Sequence, residues 1–227
     1  MKRIVITTTA LIFMLSAVWL PLSGCALFRR GQVAEELAAV QVREYQGEKL
    51  SSINDFRENS IKGPQFIDIE SYQLEISGLV SEPKIFTFDE VIDQNQPYKK
   101  VVRLNCVEGW SAIILWEGVL VRDLIEAANP QPDAEVVIFH AYDGYTTSFP
   151  LDYIRDNDIL MAYKMNEVAL PPQRGFPFQL VAESKWGYKW IKWITKIELS
   201  DDVDYRGYWE KRGYSNTGDI DKSYLGR

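Results

Sequence analysis

After Gly63-Pro64 the chain consists of short apolar stretches separated by turn residues, a texture that predicts many short strands and few helices. Tyr72-Gln73-Leu74-Glu75-Ile76-Ser77 alternates polar and apolar like a half-buried strand, ended by Gly78. Phe86-Thr87-Phe88 leads into a short helix through Ile92, for which Asp89 reads as the N-cap. Lys99 to Cys106 reads as a strand, with Val101, Arg103 and Asn105 on one face and Val102, Leu104 and Cys106 on the other. Val119 to Ala128 has helical spacing through Val121, Leu124, Ile125 and Ala128, and Asn129-Pro130 stops it. Glu135 to His140 reads as a buried strand that turns at Asp143-Gly144 and returns over Thr146 to Phe149. Ile159 to Met165 and Phe178 to Val181 are further strands, and Trp193 to Leu199 alternates, with Trp193, Thr195, Ile197 and Leu199 facing away from Ile194, Lys196 and Glu198. The tail from Asp201 is rich in Gly and Tyr and carries little periodicity. This inventory predicts an α+β domain, mixed and mainly β.

The N-terminal part has a different texture. Lys2 and Arg3 precede an apolar run from Ile4 to Leu22, the layout of a secretory signal. Its ending, Leu22-Ser23-Gly24-Cys25, resembles the bacterial lipobox, which implies that Cys25 becomes the lipid-carrying first residue of the mature protein. The stretch that follows is polar and helix-friendly, with Ala34, Leu37, Ala38 and Val40 among Glu35, Glu36, Gln41 and Arg43. The expected division is therefore a signal over 1–24, a tether with a short helix over 25–58, and one globular domain over 59–227. No other apolar run is long enough to span a bilayer, so membrane attachment is expected through the lipid on Cys25.

Composition narrows the function. Hydrophobic residues at 46% and aromatics at 13% suit a packed body, and a net charge of -7 repels nucleic-acid phosphates. Two cysteines and one histidine exclude a disulfide scaffold and a structural zinc site once Cys25 carries lipid. Cys106 is then an unpaired thiol in an exported, oxidising setting, which calls for explanation. It is a buried small hydrophobe, a reactive nucleophile, or a thiolate ligand to a soft metal. The sole histidine, His140, sits at a strand end and reads as a surface or satisfied core residue.

The segment Arg103-Leu104-Asn105-Cys106-Val107-Glu108-Gly109-Trp110-Ser111, followed by Trp116-Glu117-Gly118-Val119, resembles the cofactor-ligand region of the sulfite-oxidase-like molybdopterin oxidoreductases, nearest the branch of the periplasmic methionine-sulfoxide reductase catalytic subunits. Ala141-Tyr142-Asp143-Gly144-Tyr145-Thr146, Ala162-Tyr163-Lys164-Met165-Asn166, Leu170-Pro171-Pro172, Gly187 to Trp193 and Gly207 to Tyr214 follow in that family's order. The resemblance implies a sulfite-oxidase-type fold and one molybdenum held by the Cys106 sulfur and a molybdopterin dithiolene. It further implies pterin contacts at Asn59, Lys62, Ala141, Arg174, Gln179, Trp190, Ile191 and Lys192, with Lys192 as the charge partner of the phosphate. Tyr142 and Tyr145 are the candidates to line the substrate pocket, since a phenol hydrogen-bonds oxygen. Glu108 and Asp143 are the nearest carboxylates in sequence; Glu108 is expected to fix the backbone around Cys106 and Asp143 to form a turn.

The chain departs from the sulfite-oxidising and nitrate-reducing branches, which carry an arginine-bearing segment after the ligand; here Val107-Glu108-Gly109-Trp110-Ser111 follows. The implied activity is therefore oxygen-atom transfer from a small S-oxide or N-oxide, with electrons from a separate heme- or quinone-linked partner, in a lipoprotein at the bacterial cell envelope. A lipid-anchored binding or assembly module that keeps the fold without catalysis is the alternative.

Overall fold

The computed structural model describes residues 34–226; the signal expected over 1–24 and Cys25, the expected lipidation residue, lie outside them. A helix over 34–40 (α1) leads to a two-residue hairpin, β1 (Glu44–Tyr45) and β2 (Glu48–Lys49). The tether expected through residue 58 ends earlier. Gln41, Leu50 and Ile53 are buried, and Asn166, itself buried, donates to Gln41 Oε1 at 3.0 Å and to the Ser51 carbonyl at 2.8 Å. A polar stretch reads as solvated from composition, but here its amides and carbonyls satisfy a buried asparagine, so 41–58 belong to the body.

Two five-stranded sheets carry the domain. One runs β10 (Val168–Ala169), β9 (Leu160–Met165), β6 (Ser111–Leu120), β5 (Tyr98–Asn105), with β11 (Gln179–Val181) also on β9. The other runs β4 (Lys84–Phe86), β3 (Leu74–Gly78), β12 (Ile194–Ser200), β7 (Val136–Ala141), β8 (Thr146–Pro150). Only the β3–β12 pair is parallel; every other pairing within the two sheets is antiparallel. One apolar cluster joins them, taking Leu74 and Ile76 from β3, Val102 and Leu104 from β5, Ile114 and Trp116 from β6, Phe139 from β7 and Ile197 from β12. Short helices α2 (Phe88–Asp93), α3 (Val121–Glu126) and α4 (Leu151–Asp156) cover its margins through Val91, Leu124, Ile125 and Ile154. This is the expected mixed, sheet-dominated architecture.

Several local expectations are corrected. Helix α2 is capped by Thr87, which accepts from the Glu90 amide while Glu90 reaches back to the Thr87 amide, so Asp89 lies in the first turn, where its charge favours the helix dipole. Val119 and Leu120 belong to β6, not to the helix that follows. In β12 the register shifts between Ile194 and Lys196, so Ile194, Ile197 and Leu199 share the buried side and the plain alternation fails. Gly118 has a role in the packing of β6 on β9: a Cβ there would stand 2.6 Å from Ala162 Cα.

Candidate active site

Strands β5 and β6 form a hairpin whose last pair is Asn105 with Ser111, leaving Cys106 to Trp110 as its tip. The Cys106 amide donates to the Trp110 carbonyl at 2.9 Å and Gly109, at φ +87°, donates back to the Cys106 carbonyl at 3.1 Å. Cys106 is thus the first residue beyond a rigid strand, held by its own loop. From the other side Gly187 approaches closely: a Cβ at that position would lie 3.2 Å from the Asn105 carbonyl oxygen. Cys106 is 8% exposed, yet it is not sealed in hydrocarbon, because it lines a cavity of about 420 Å³.

Asn59 Nδ2 donates to Cys106 Sγ at 3.6 Å, the sulfur's one side-chain hydrogen bond. Burial pushes the thiol pKa up and Glu108 adds to the rise through its negative charge, while backbone amides and Asn59 oppose it. Left without a positive partner, this sulfur is a poor free nucleophile; a cation bound to it would supply the missing charge. Among the described residues no group of three or more His, Cys, Asp or Glu side chains converges, so a metal held here takes one protein sulfur and its other ligands from elsewhere.

The structure brings eight of the expected residues to this cavity: Asn59, Cys106, Tyr145, Arg174, Gln179, Trp190, Ile191 and Lys192. Lys192 Nζ sits 2.6 Å from Glu58 Oε1 and 4.4 Å over the Trp193 ring, and burial lowers its pKa against the pull of Glu58. Arg174 is engaged differently from expectation. Its donors reach the carbonyls of Ile53 (2.9 Å), Arg57 (3.0 Å) and Phe56, so the guanidinium, its pKa lowered to about 10 by burial, anchors the cavity wall at 53–57. Tyr145 lines the cavity but its hydroxyl donates to the Tyr188 carbonyl at 2.5 Å, which fixes the wall and leaves no free donor. Three expected residues do not line the cavity. Tyr142 is 61% exposed because the tight turn closed by the Gly144 amide on the Ala141 carbonyl throws it outward. Ala141 is buried in β7, and Lys62 is exposed beside Gly144. Asp143 does form the turn, accepting from the Tyr145 amide at 2.9 Å.

Sequence reasoning missed Phe56, Arg57 and Glu58, which it placed in a tether, and Trp209 and Tyr214, which lie in a tail without periodicity. The tail is a strap. Lys189 is fully buried against Glu210 at 2.7 Å and also donates to the Ser148 and Asn216 carbonyls. Lys185 pairs with Asp219 at 2.5 Å, and Tyr188 donates to the Ser215 carbonyl. His140 meets Glu198 at 2.9 Å, away from the cavity.

A large cavity with one thiol at its floor, aromatic walls and cations at its edge is the site of a cofactor-dependent enzyme. Its residues fit a pterin-bound metal: the thiol's one side-chain hydrogen bond is long, and the buried Ser60 hydroxyl in the wall has no partner. Residues 61–209 match the family model described as the oxidoreductase molybdopterin binding domain, and the chain belongs to that family. It is accordingly an oxidoreductase with a Mo-molybdopterin cofactor. It is 34% identical over 157 residues, 69% of this chain and 78% of the other, to an uncharacterised oxidoreductase of Bacillus subtilis. It is 28% identical over 201 residues to the catalytic subunit of a protein-methionine-sulfoxide reductase of Campylobacter jejuni, covering 81% of this chain and 65% of that one. A putative methionine-sulfoxide reductase subunit of Azospira oryzae is 35% identical over 66% of this chain and 56% of its own length. The chain thus spans between about half and two thirds of these two reductase relatives. Its fold is shared with a sulfane dehydrogenase of Paracoccus pantotrophus, at TM-score 0.62 and 19% identity over 88% of this chain and 58% of that one.

Proposed function

We propose that this oxidoreductase removes oxygen from S-oxides, with N-oxides as a second substrate class, and that Cys106 is the protein's ligand to the metal. The observation that carries the reading is the Cys106 sulfur at a hairpin tip, opening onto a cavity large enough for an organic cofactor. Molybdenum held between that sulfur and the pterin supplies two-electron oxygen-atom transfer. The balanced reaction takes an S-oxide, two electrons and two protons to a thioether and water, with the electrons from a separate donor.

The chain's own groups position and tune. Asn59 holds the sulfur's orientation through its amide. Lys192, presented beside Trp190 and Ile191, supplies positive charge for the pterin phosphate, and Gln179, buried in the wall, supplies a polar amide. Arg174 keeps the 53–57 wall in place, and the aromatic walls exclude water from the reacting centre. Export, lipidation at Cys25 and residence at the cell envelope complete the reading. Among the described residues no helix is long and apolar enough to cross a membrane.

The test is molybdenum content and turnover together, in protein made by a host that assembles the cofactor. Wild-type protein is expected to hold about one molybdenum per chain and to reduce dimethyl sulfoxide with a reduced dye. Cys106→Ser is expected to lose metal and turnover while keeping its circular-dichroism spectrum. Wild-type protein that carries no molybdenum after gentle purification would overturn the reading in favour of a non-catalytic module.

A further inference from the structure

We propose that the cavity rim built by Glu108, Trp110 and Phe56 selects S-oxides whose substituents are neutral or cationic and turns away anionic ones, with Glu108 the residue that sets the preference. This deepens the S-oxide reading and rests on it.

The rim is part of the same hairpin tip that presents the sulfur. Trp110 Nε1 donates to Glu108 Oε2 at 3.2 Å, which holds an exposed carboxylate, two residues from Cys106, against the indole. The Phe56 ring lies 5.6 Å from that indole, tilted by 31°, and already carries the Arg174 guanidinium 3.8 Å from its centroid, so the Trp110 indole and the Glu108 carboxylate are the groups of this rim left to meet a substrate. Aromatic faces with an adjacent carboxylate attract cations and receive apolar groups, and both features disfavour an anion.

Two of the cavity's cations are already engaged. The Arg174 donors are taken by three backbone carbonyls, and Lys192 Nζ is shared between Glu58 Oε1 at 2.6 Å and the Gln173 carbonyl at 3.3 Å. Arg57 also lines the cavity, from the 53–57 wall, whereas Glu108 stands on the hairpin tip itself, two residues from Cys106. A substrate that enters the cavity beside Cys106 therefore brings its substituents past the Glu108 carboxylate.

The experiment uses three methionine S-oxide derivatives that differ in charge: the methyl ester with a free amine (cation), the N-acetyl methyl ester (neutral) and N-acetyl methionine sulfoxide (anion). A unit charge about 7 Å from Glu108, in an environment nearly as polar as water, changes kcat/KM by about threefold, so cation and anion are expected to differ by about tenfold in dilute buffer. The difference should lie in KM, shrink in about 0.5 M salt, and fall below about threefold in Glu108→Gln, while Glu108→Asp keeps its direction. A second readout needs no turnover: in the metal-free full-length chain, Cys106 should react faster with a cationic than with an anionic methanethiosulfonate, and Glu108→Gln should narrow that ratio. Neutral substrate reduced normally with a flat or reversed charge series overturns the selectivity and leaves the S-oxide reading standing. Molybdenum-loaded protein that reduces none of the three overturns both.

Discussion

Glu210→Gln is the sharpest test of how the C-terminal strap is held. Lys189 and Glu210 are both without exposed side-chain surface and meet at 2.7 Å; Glu210 Oε1 also accepts from Thr147 Oγ1 at 2.7 Å. The substitution keeps volume and a carbonyl acceptor but removes the charge that compensates a fully buried ammonium, which costs about 3–5 kcal/mol when one partner of such a pair is lost. Glu210 Oε2 has no hydrogen-bond partner, so a buried amide donor placed there would be unsatisfied and keeps the expected loss within that range. For a body of this size that is a fall of roughly 6–20 °C in Tm. Lys189 also holds the Asn216 carbonyl at 2.9 Å, and Trp209 and Tyr214 line the cavity, so the loss should concentrate in the strap. Urea denaturation gives the magnitude and amide hydrogen exchange the location. Lys189→Met combined with Glu210→Gln should be less destabilising than the sum of the two single changes, because the double variant leaves no unpaired charge. A Glu210→Gln variant within about 1 kcal/mol of wild type, with the strap as protected as before, would refute the reasoning.

Three further outcomes follow from the same geometry. Asn166→Ala strips a buried side chain that donates to Gln41 Oε1 and the Ser51 carbonyl and accepts from the Leu115 amide at 3.1 Å; a loss of about 2–4 kcal/mol is expected, with residues 41–53 exchanging first. Asp219, held by Lys185 and Lys222, has its pKa lowered from 3.8 to about 2. A depressed carboxylate contributes stability that is complete above its unfolded pKa and lost as pH falls through its folded one, so protease sensitivity of the strap should rise between about pH 4 and pH 2 and not near neutrality. Gly118→Ala drives a Cβ against the Ala162 backbone and should cost about 1–3 kcal/mol in urea denaturation, without changing the hairpin tip that carries Cys106.

Local pattern alone revealed the strands that have one wet face. β3 and β5 alternate in sequence and in burial, and Cys106, read as the last residue of its strand, stands directly past the end of β5. The long strand β6 was not legible because it is buried on nearly every side, so its apolar run has no period to detect. The strap was not legible either: its carboxylates and carbonyls are held by donors that Lys185, Tyr188 and Lys189 supply, and such partners leave no trace in a local window.

At the site the division is between residue chemistry and direction. The thiol alone left three readings open, and it was the resemblance of the motif around it that pointed to a metal and its cofactor. Where each helper points was settled only by packing. Arg174 turns to backbone carbonyls, Tyr142 faces solvent from a tight turn and Arg57 reaches the cavity from a stretch that reads as linker. The direction of Arg174 depends on contacts with residues more than 100 positions away, such as Ile53 and Arg57, and only the folded chain brings such partners together.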